Sequence, residues 1–184
     1  MEVPAFTCIE LDSPQGINAL GNIFINRRTT TLFDEFRYFT GVGNNFRFYN
    51  SLVEKLTLPE GTITALNDNV MYNCPLSQSS YFYIPEGCET FGNHALGGTP
   101  CMIVTLDLPS TTKTFQRYFM YVAPKIQSII LRASTPPEVN SATLPGIPSR
   151  VQFYVPDSAV QDYLSDSSWG AYSSRIHPLS EYDG

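Results

Sequence analysis

The side chains in this 184-residue chain that could carry acid–base, nucleophilic or metal chemistry are two histidines, four cysteines and a scatter of carboxylates. His94 lies in GNHAL, where a surface residue is expected, and His177 precedes Pro178. A histidine held between a serine and an aspartate would support acyl transfer, but no serine stands in a GxSxG elbow. Cys8, Cys88 and Cys101 lack CxxC or Cys/His spacing, and a Cys88–Cys101 disulfide stays open on spacing alone. Asn67-Asp68-Asn69 begins like a calcium loop without the further oxygen ligands or the distal glutamate, so it reads as a solvated turn. Gly41-x-Gly43 has neither the third glycine nor the following helix of a dinucleotide loop. Glu10, Glu35 and Asp107 share a predicted strand position. Adjacent strands lie about 4.8 Å apart, so carboxylates on well-separated strands cannot act as a glycosidase pair. The reading is a non-enzyme with no catalytic residue, metal or cofactor.

The elements that would position these groups repeat on a fixed ruler. LTLPEG (56–61), FYIPEG (82–87), LDLPST (106–111), IILRAS (129–134) and FYVPDS (153–158) end their apolar runs at Leu58, Ile84, Leu108, Leu131 and Val155, spaced 26, 24, 23 and 24. A second landmark keeps step half a period later at Phe24, Phe48, Met71, Leu96 and Met120, spaced 24, 23, 25 and 24. Self-similarity at this period predicts a stacked solenoid. Such a stack buries a continuous core and leaves regular outer faces, which favours a binding surface over a catalytic pocket.

Within each period the phrase predicts a short strand, a turn, a second apolar stretch and a return. Alternation sends Phe82 and Ile84, Leu106 and Leu108, Ile129 and Leu131, and Phe153 and Val155 inward. Proline then ends the strand at Pro59, Pro85, Pro109 and Pro156, because it cannot donate a ladder hydrogen bond. Arg132 takes that place in the fourth phrase. Ile9–Leu11 and Asp34–Phe36 continue the pattern, giving about seven predicted strands. Cys74 closes the second stretch of its period and reads as a small buried residue.

The LPEG phrases, the segment FDEFRYFTGV (33–42) and the ending TPPEV…FYVPDSAVQDYLSDSSWGAYSSRIHPLSEY resemble the BspA-like leucine-rich repeat proteins, over nearly the whole chain. The resemblance implies a leucine-rich repeat solenoid, a right-handed superhelix with a parallel β-sheet, short helical or irregular return segments and a C-terminal capping helix. It also implies surface-displayed adhesins or interaction modules of gut and oral anaerobes, a kind that occurs as well in proteins of phages infecting those bacteria. The organisation expected is one domain over 1–184, with an N-terminal coil or cap at 1–30, repeats at 31–156 and a C-terminal cap at 157–184. In that cap Asp157 or Ser158 is expected to cap a short helix, and Trp169, Tyr172 and Ile176 to close the core before Pro178 stops the chain.

Composition bounds the partners. A chain with 42% hydrophobic residues can bury a sizeable core, and no run is long enough to span a bilayer as a helix. A net charge of -6, with Arg27-Arg28 the sole basic pair, gives no patch for nucleic acid. Residues 1–9 lack the basic and apolar regions of a secretory signal. The expected location is therefore extracellular or cell-surface if an export signal has been removed, and otherwise a virion released by lysis.

In register, the outward positions form two rows: Lys55, Tyr81, Thr105, Ser128 and Gln152, and Thr57, Tyr83, Asp107, Ile130 and Tyr154. Tyrosine combines contact area with a hydrogen-bonding tip, so Thr57, Tyr81, Tyr83, Asp107 and Tyr154 are the candidate ligand-binding residues. Two functions follow. One is adhesion to a protein or glycan on a cell surface. The other is a bacteriophage structural part, a fibre tip or a capsid or tail decoration, contacting other virion proteins. Oligomeric state is not legible.

Overall fold

The computed structural model describes residues 58, 63–73, 80–98, 101–139, 144 and 147–184. The strands expected at 9–11 and 34–36 lie outside these residues, as do Lys55, Thr57 and Cys74. Among the described residues ten short strands follow in order: β1 (Ala65–Leu66), β2 (Tyr81–Tyr83), β3 (Thr90–Phe91), β4 (Leu96–Gly97), β5 (Thr105–Leu108), β6 (Thr114–Phe115), β7 (Met120–Tyr121), β8 (Ser128–Leu131), β9 (Gln152–Val155) and β10 (Ile176–Pro178). The helical content among the described residues is one short α-helix, α1 (Val160–Ser165), and three 3-10 segments, Asp157–Ala159, Trp169–Arg175 and Leu179–Glu181.

All described strand pairs are parallel, and each joins residues 23 to 25 positions apart. They form a five-stranded sheet, β10-β9-β8-β5-β2, a three-stranded sheet, β1-β3-β6, and a two-stranded sheet, β4-β7. An isolated parallel bridge from Thr114 to Glu138 carries the second sheet one step further. The expected single sheet is thus one of three, because the stretch after each turn also satisfies its backbone groups by pairing with the next period.

The inward residues behave as the alternation predicts. Phe82, Ile84, Leu106, Leu108, Ile129, Leu131, Phe153 and Val155 are all buried in one core cluster. Behind them the second stretch contributes Leu66, Met71, Phe91, Leu96, Phe115, Phe119 and Met120. Phe115 and Phe119 stack at 4.5 Å, and Phe91 tilts against Phe115 at 5.3 Å. Equivalent turns are tied to one another: the Glu86 carboxylate accepts from the Ser110 N–H and hydroxyl, both at 2.9 Å. The Gly87 N–H donates to the Thr111 hydroxyl at 2.9 Å.

The return segments repeat an unusual backbone. Asn69, His94 and Tyr118 sit at equivalent points with φ of 57°, 51° and 58°. A second column holds Asn73 (φ 60°), Gly98 (φ 90°) and Val122 (φ 54°). At Gly98 a Cβ would come within 2.7 Å of the Asn73 backbone nitrogen, so the close approach as well as the φ requires glycine. Val122 is the misfit, since a β-branched residue in the left-handed region costs about 1–2 kcal/mol. Its side chain is 37% exposed and contributes little packing. Val122→Asn, the residue the column already uses at position 73, should therefore raise stability by about 1 kcal/mol. A urea midpoint unchanged or lowered in that variant would count against the strain.

The C-terminal cap differs from expectation in two ways. No side chain caps α1, whose N-cap is Ala159; the Asp157 carboxylate instead accepts the Ser180 N–H at 3.0 Å. Hydrogen bonding to the Ser180 side chain, and then to its backbone N–H, holds the Asp157 carboxyl below its usual range. The chain also does not stop at Pro178. Ile176–Pro178 pairs with β9 as the outermost described strand, where a missing proline N–H is tolerated. Trp169 and Ile176 are buried, Tyr172 packs partly buried beside them, and the Trp169 indole donates to the Pro137 carbonyl at 2.8 Å. The Tyr163 hydroxyl donates to the Ala133 carbonyl at 2.9 Å.

Candidate functional site

Four of the five members of each predicted outward row stand in register on the five-stranded sheet. Tyr81, Thr105, Ser128 and Gln152 are mutual partners, as are Tyr83, Asp107, Ile130 and Tyr154, and His177 adds a further member beside Tyr154. Thr57 lies outside the described residues. Facing outward does not mean facing water, however. Tyr81 and Tyr83 are 48% and 38% exposed, whereas Asp107 and Ile130 are each 1% exposed. Asp107 therefore corrects the expectation of a contact residue: it is covered by its neighbours.

Two groups seal it. Arg132 grips the carboxylate with both ends of its fork, Nε to Oδ1 at 2.7 Å and Nη2 to Oδ2 at 2.8 Å. The Tyr81 hydroxyl donates to Oδ2. A strand-centre carboxylate at this burial is tolerable because it is paired and hydrogen-bonded. Arg132 reaches it because it follows Ile130, the register partner of Asp107, by two residues and so shares its face. Hydrogen bonding to Asp107 holds the Arg132 guanidinium above its ordinary pKa despite partial desolvation.

Desolvation, then the hydrogen bond to Asp107 and its negative charge, pushes the Tyr81 phenol up to about 12, with Arg132 opposing. The folded-state value exceeds the ordinary tyrosine value of about 10. Tyr81 therefore contributes stability that is complete below about pH 10 and is lost as the pH rises toward 12. Tyr81→Phe should flatten part of the fall in urea midpoint across that window. A residual slope is expected because burial also raises Cys88 and Tyr163. An identical alkaline slope in wild type and variant would refute the coupling.

At the other end of the face the cap lies over the sheet. The Tyr182 ring meets the Tyr154 ring edge to face at 5.0 Å, and its hydroxyl shares a hydrogen bond with the Thr105 hydroxyl at 3.1 Å. His177 Nε2 is 2.8 Å from Gln152 Oε1, its ring tilts on Tyr154 at 5.7 Å, and Nδ1 is 3.7 Å from the Glu181 carboxylate. Burial, then the charges of Asp183 and its neighbours, raises the Tyr154 phenol. Sequence reasoning missed Arg132, His177 and Tyr182 as parts of this face. Arg132 was visible only as a departure from the strand-ending proline; His177 keeps the period, 23 positions after Tyr154, but neither it nor Tyr182 stands in a recognisable repeat phrase.

His94 is on a different surface, half-buried among Tyr72, Tyr118 and Tyr121, with its ring stacked on Tyr118 at 5.3 Å. Asp68 of the calcium-like phrase accepts the Asn93 N–H at 2.7 Å, and so ties one turn to the next. Cys88 and Cys101 are both buried free thiols, which settles the open disulfide between them. Burial pushes Cys88 up to about 12. Among the described residues, no group of three or more His, Cys, Asp or Glu side chains is placed to hold a metal ion, and no helix is long and apolar enough to cross a membrane. What the face can do is present fixed phenol rings, amides and hydroxyls from a rigid sheet. No protein-family model matches this chain, and no curated protein matches it either.

Proposed function

We propose that this chain is a non-enzymatic binding module, built as a right-handed leucine-rich repeat solenoid of the BspA-like kind and displayed on a surface, whose sheet face holds a protein or glycan. The solenoid reading is supported by parallel pairing between residues one period apart in all three sheets. The observation that carries the functional reading is the tyrosine row: Tyr81 and Tyr83 expose large aromatic surface on one strand, and the half-buried Tyr154 stands three strands away in the same register. Exposed aromatic side chains on a rigid base suit recognition, because they add contact area at low entropic cost.

Labelled protein bound to cells or immobilised surface extracts tests this. Tyr83→Ala and Tyr154→Ala should each weaken binding about tenfold, the effect of losing one strong interface contact. Circular dichroism should show both variants folded. Full retention of binding in the double variant would remove the face from consideration. Co-purification with phage particles at fixed stoichiometry, unaffected by either change, would replace adhesion by a structural virion role.

A further inference from the structure

Where the cap crosses the sheet, the five-stranded face holds a cleft of about 380 Å³ lined by Thr105, Gln127, Arg150, Gln152, Tyr154 and Tyr182. That volume falls within the range of small-ligand sites, about 300–1,000 Å³. We infer that this cleft is a ligand site within the face and that its ligand is an uncharged oligosaccharide; the inference rests on the reading of the sheet face as a binding surface.

The chemistry of the lining selects the ligand class. Tyr154 and Tyr182 cross at 67°, so the two rings form a corner against which the C–H face of a pyranose can lie. The polar groups are mostly neutral and able both to donate and to accept. Gln152 is fixed at both ends, its Nε2 donating to the Arg150 carbonyl at 2.8 Å and its Oε1 meeting His177 Nε2. The amide keeps a second N–H and a second lone pair in a set orientation. Thr105 and Tyr182 share one hydrogen bond, so one of their two hydroxyl hydrogens remains for a ligand. Sugar hydroxyls complement such groups because they too donate and accept.

Charge argues against an anionic ligand. The one cationic side chain lining the cleft is Arg150, whose guanidinium already donates to the Pro124 carbonyl, and Asp183 lines the same cleft with opposite sign. An extended peptide would gain most by pairing its backbone with a sheet edge, whereas this cleft lies on the face, where the backbone groups are already paired.

Titration calorimetry of the whole chain with cello-, malto-, manno-, chito- and galacto-hexaoses tests the inference. At least one should bind. Tyr182→Ala and Gln152→Ala should each weaken that binding about tenfold. Tyr182→Phe, which keeps the ring, should stay within about threefold of wild type, and Lys113→Ala, an exposed side chain paired with Glu89 away from the five-stranded sheet, should leave it unchanged. Circular dichroism would verify that each variant is folded. No binding at low millimolar concentration, binding only of acidic sugars, or binding insensitive to Tyr182→Ala and Gln152→Ala overturns the inference. Should the hexaoses fail while cell binding persists and depends on Tyr83, this inference falls and the broader reading of the face stands. Should a hexaose bind through Tyr182 while cell binding is absent, the cleft stands and the adhesion reading falls.

Discussion

Arg132→Met should destabilise the fold by about 3 kcal/mol at neutral pH, the order observed when one partner of a buried ion pair is removed. The asymmetry of the pair sets this figure. The Arg132 side chain is 40% exposed, so its own attraction is screened by water; Asp107 is 1% exposed and would be left as an uncompensated carboxylate with only the neutral Tyr81 hydroxyl donating to it. The cost therefore belongs to the uncompensated charge more than to the lost bond. Asp107→Asn combined with Arg132→Met should recover most of the loss, giving a coupling of about 2 kcal/mol in a double-mutant cycle. Urea unfolding of the four proteins measures it. A single-variant loss below about 1 kcal/mol would mean that water reaches Asp107 once the guanidinium is gone.

Trp169→Ala should cost about 3–5 kcal/mol, the range for deleting a large buried aromatic. The indole is 1% exposed and meets Phe153, Tyr163, Phe115 and Tyr172 at centroid distances of 5.5, 5.4, 6.4 and 6.2 Å. It also donates to the Pro137 carbonyl, so Trp169→Phe should still lose about 1–2 kcal/mol while preserving much of the packing. Hydrogen exchange would locate the damage. Amides of β9 and β10 should lose protection before those of β2 and β5, because a terminal packing unit supports its nearest neighbours first. Uniform loss of protection across the five-stranded sheet would show instead that the cap and the sheet unfold as one unit.

Much of this was legible in the sequence where one local rule acts at a time. The inward pairs from Phe82 to Val155 follow from strand alternation, and their parallel register follows from the period, since each phrase can pair only with the one before and after it. The same logic placed Tyr81, Tyr83, Asp107 and Tyr154 on one face. It could not tell which of them meets water. Asp107 is buried because a residue displaced along the next strand, Arg132, reaches back to it, a diagonal contact that no single phrase contains. Tyr182 and His177 escaped for a different reason: they reach the face through a 3-10 segment and a strand that begin after the last repeated phrase. The burial of Trp169 was readable because so large an apolar side chain must find a core to enter, whereas the partner of Asp157, the Ser180 amide, depends on how the following turn folds back.

The outermost described strand, β10, runs for three residues and ends in Pro178. Its neighbour β9 is a longer run whose side chains alternate between buried and half-buried. Left uncovered, β9 would be a template on which a second molecule could add strand upon strand into an open-ended fibre. A short strand that finishes without an amide hydrogen offers little for such growth. The segment that lays Tyr182 over the sheet thus also acts as a brake on polymerisation. Removing 176–184 should increase concentration-dependent self-association, a change light scattering would register even if the preceding strands folded as before.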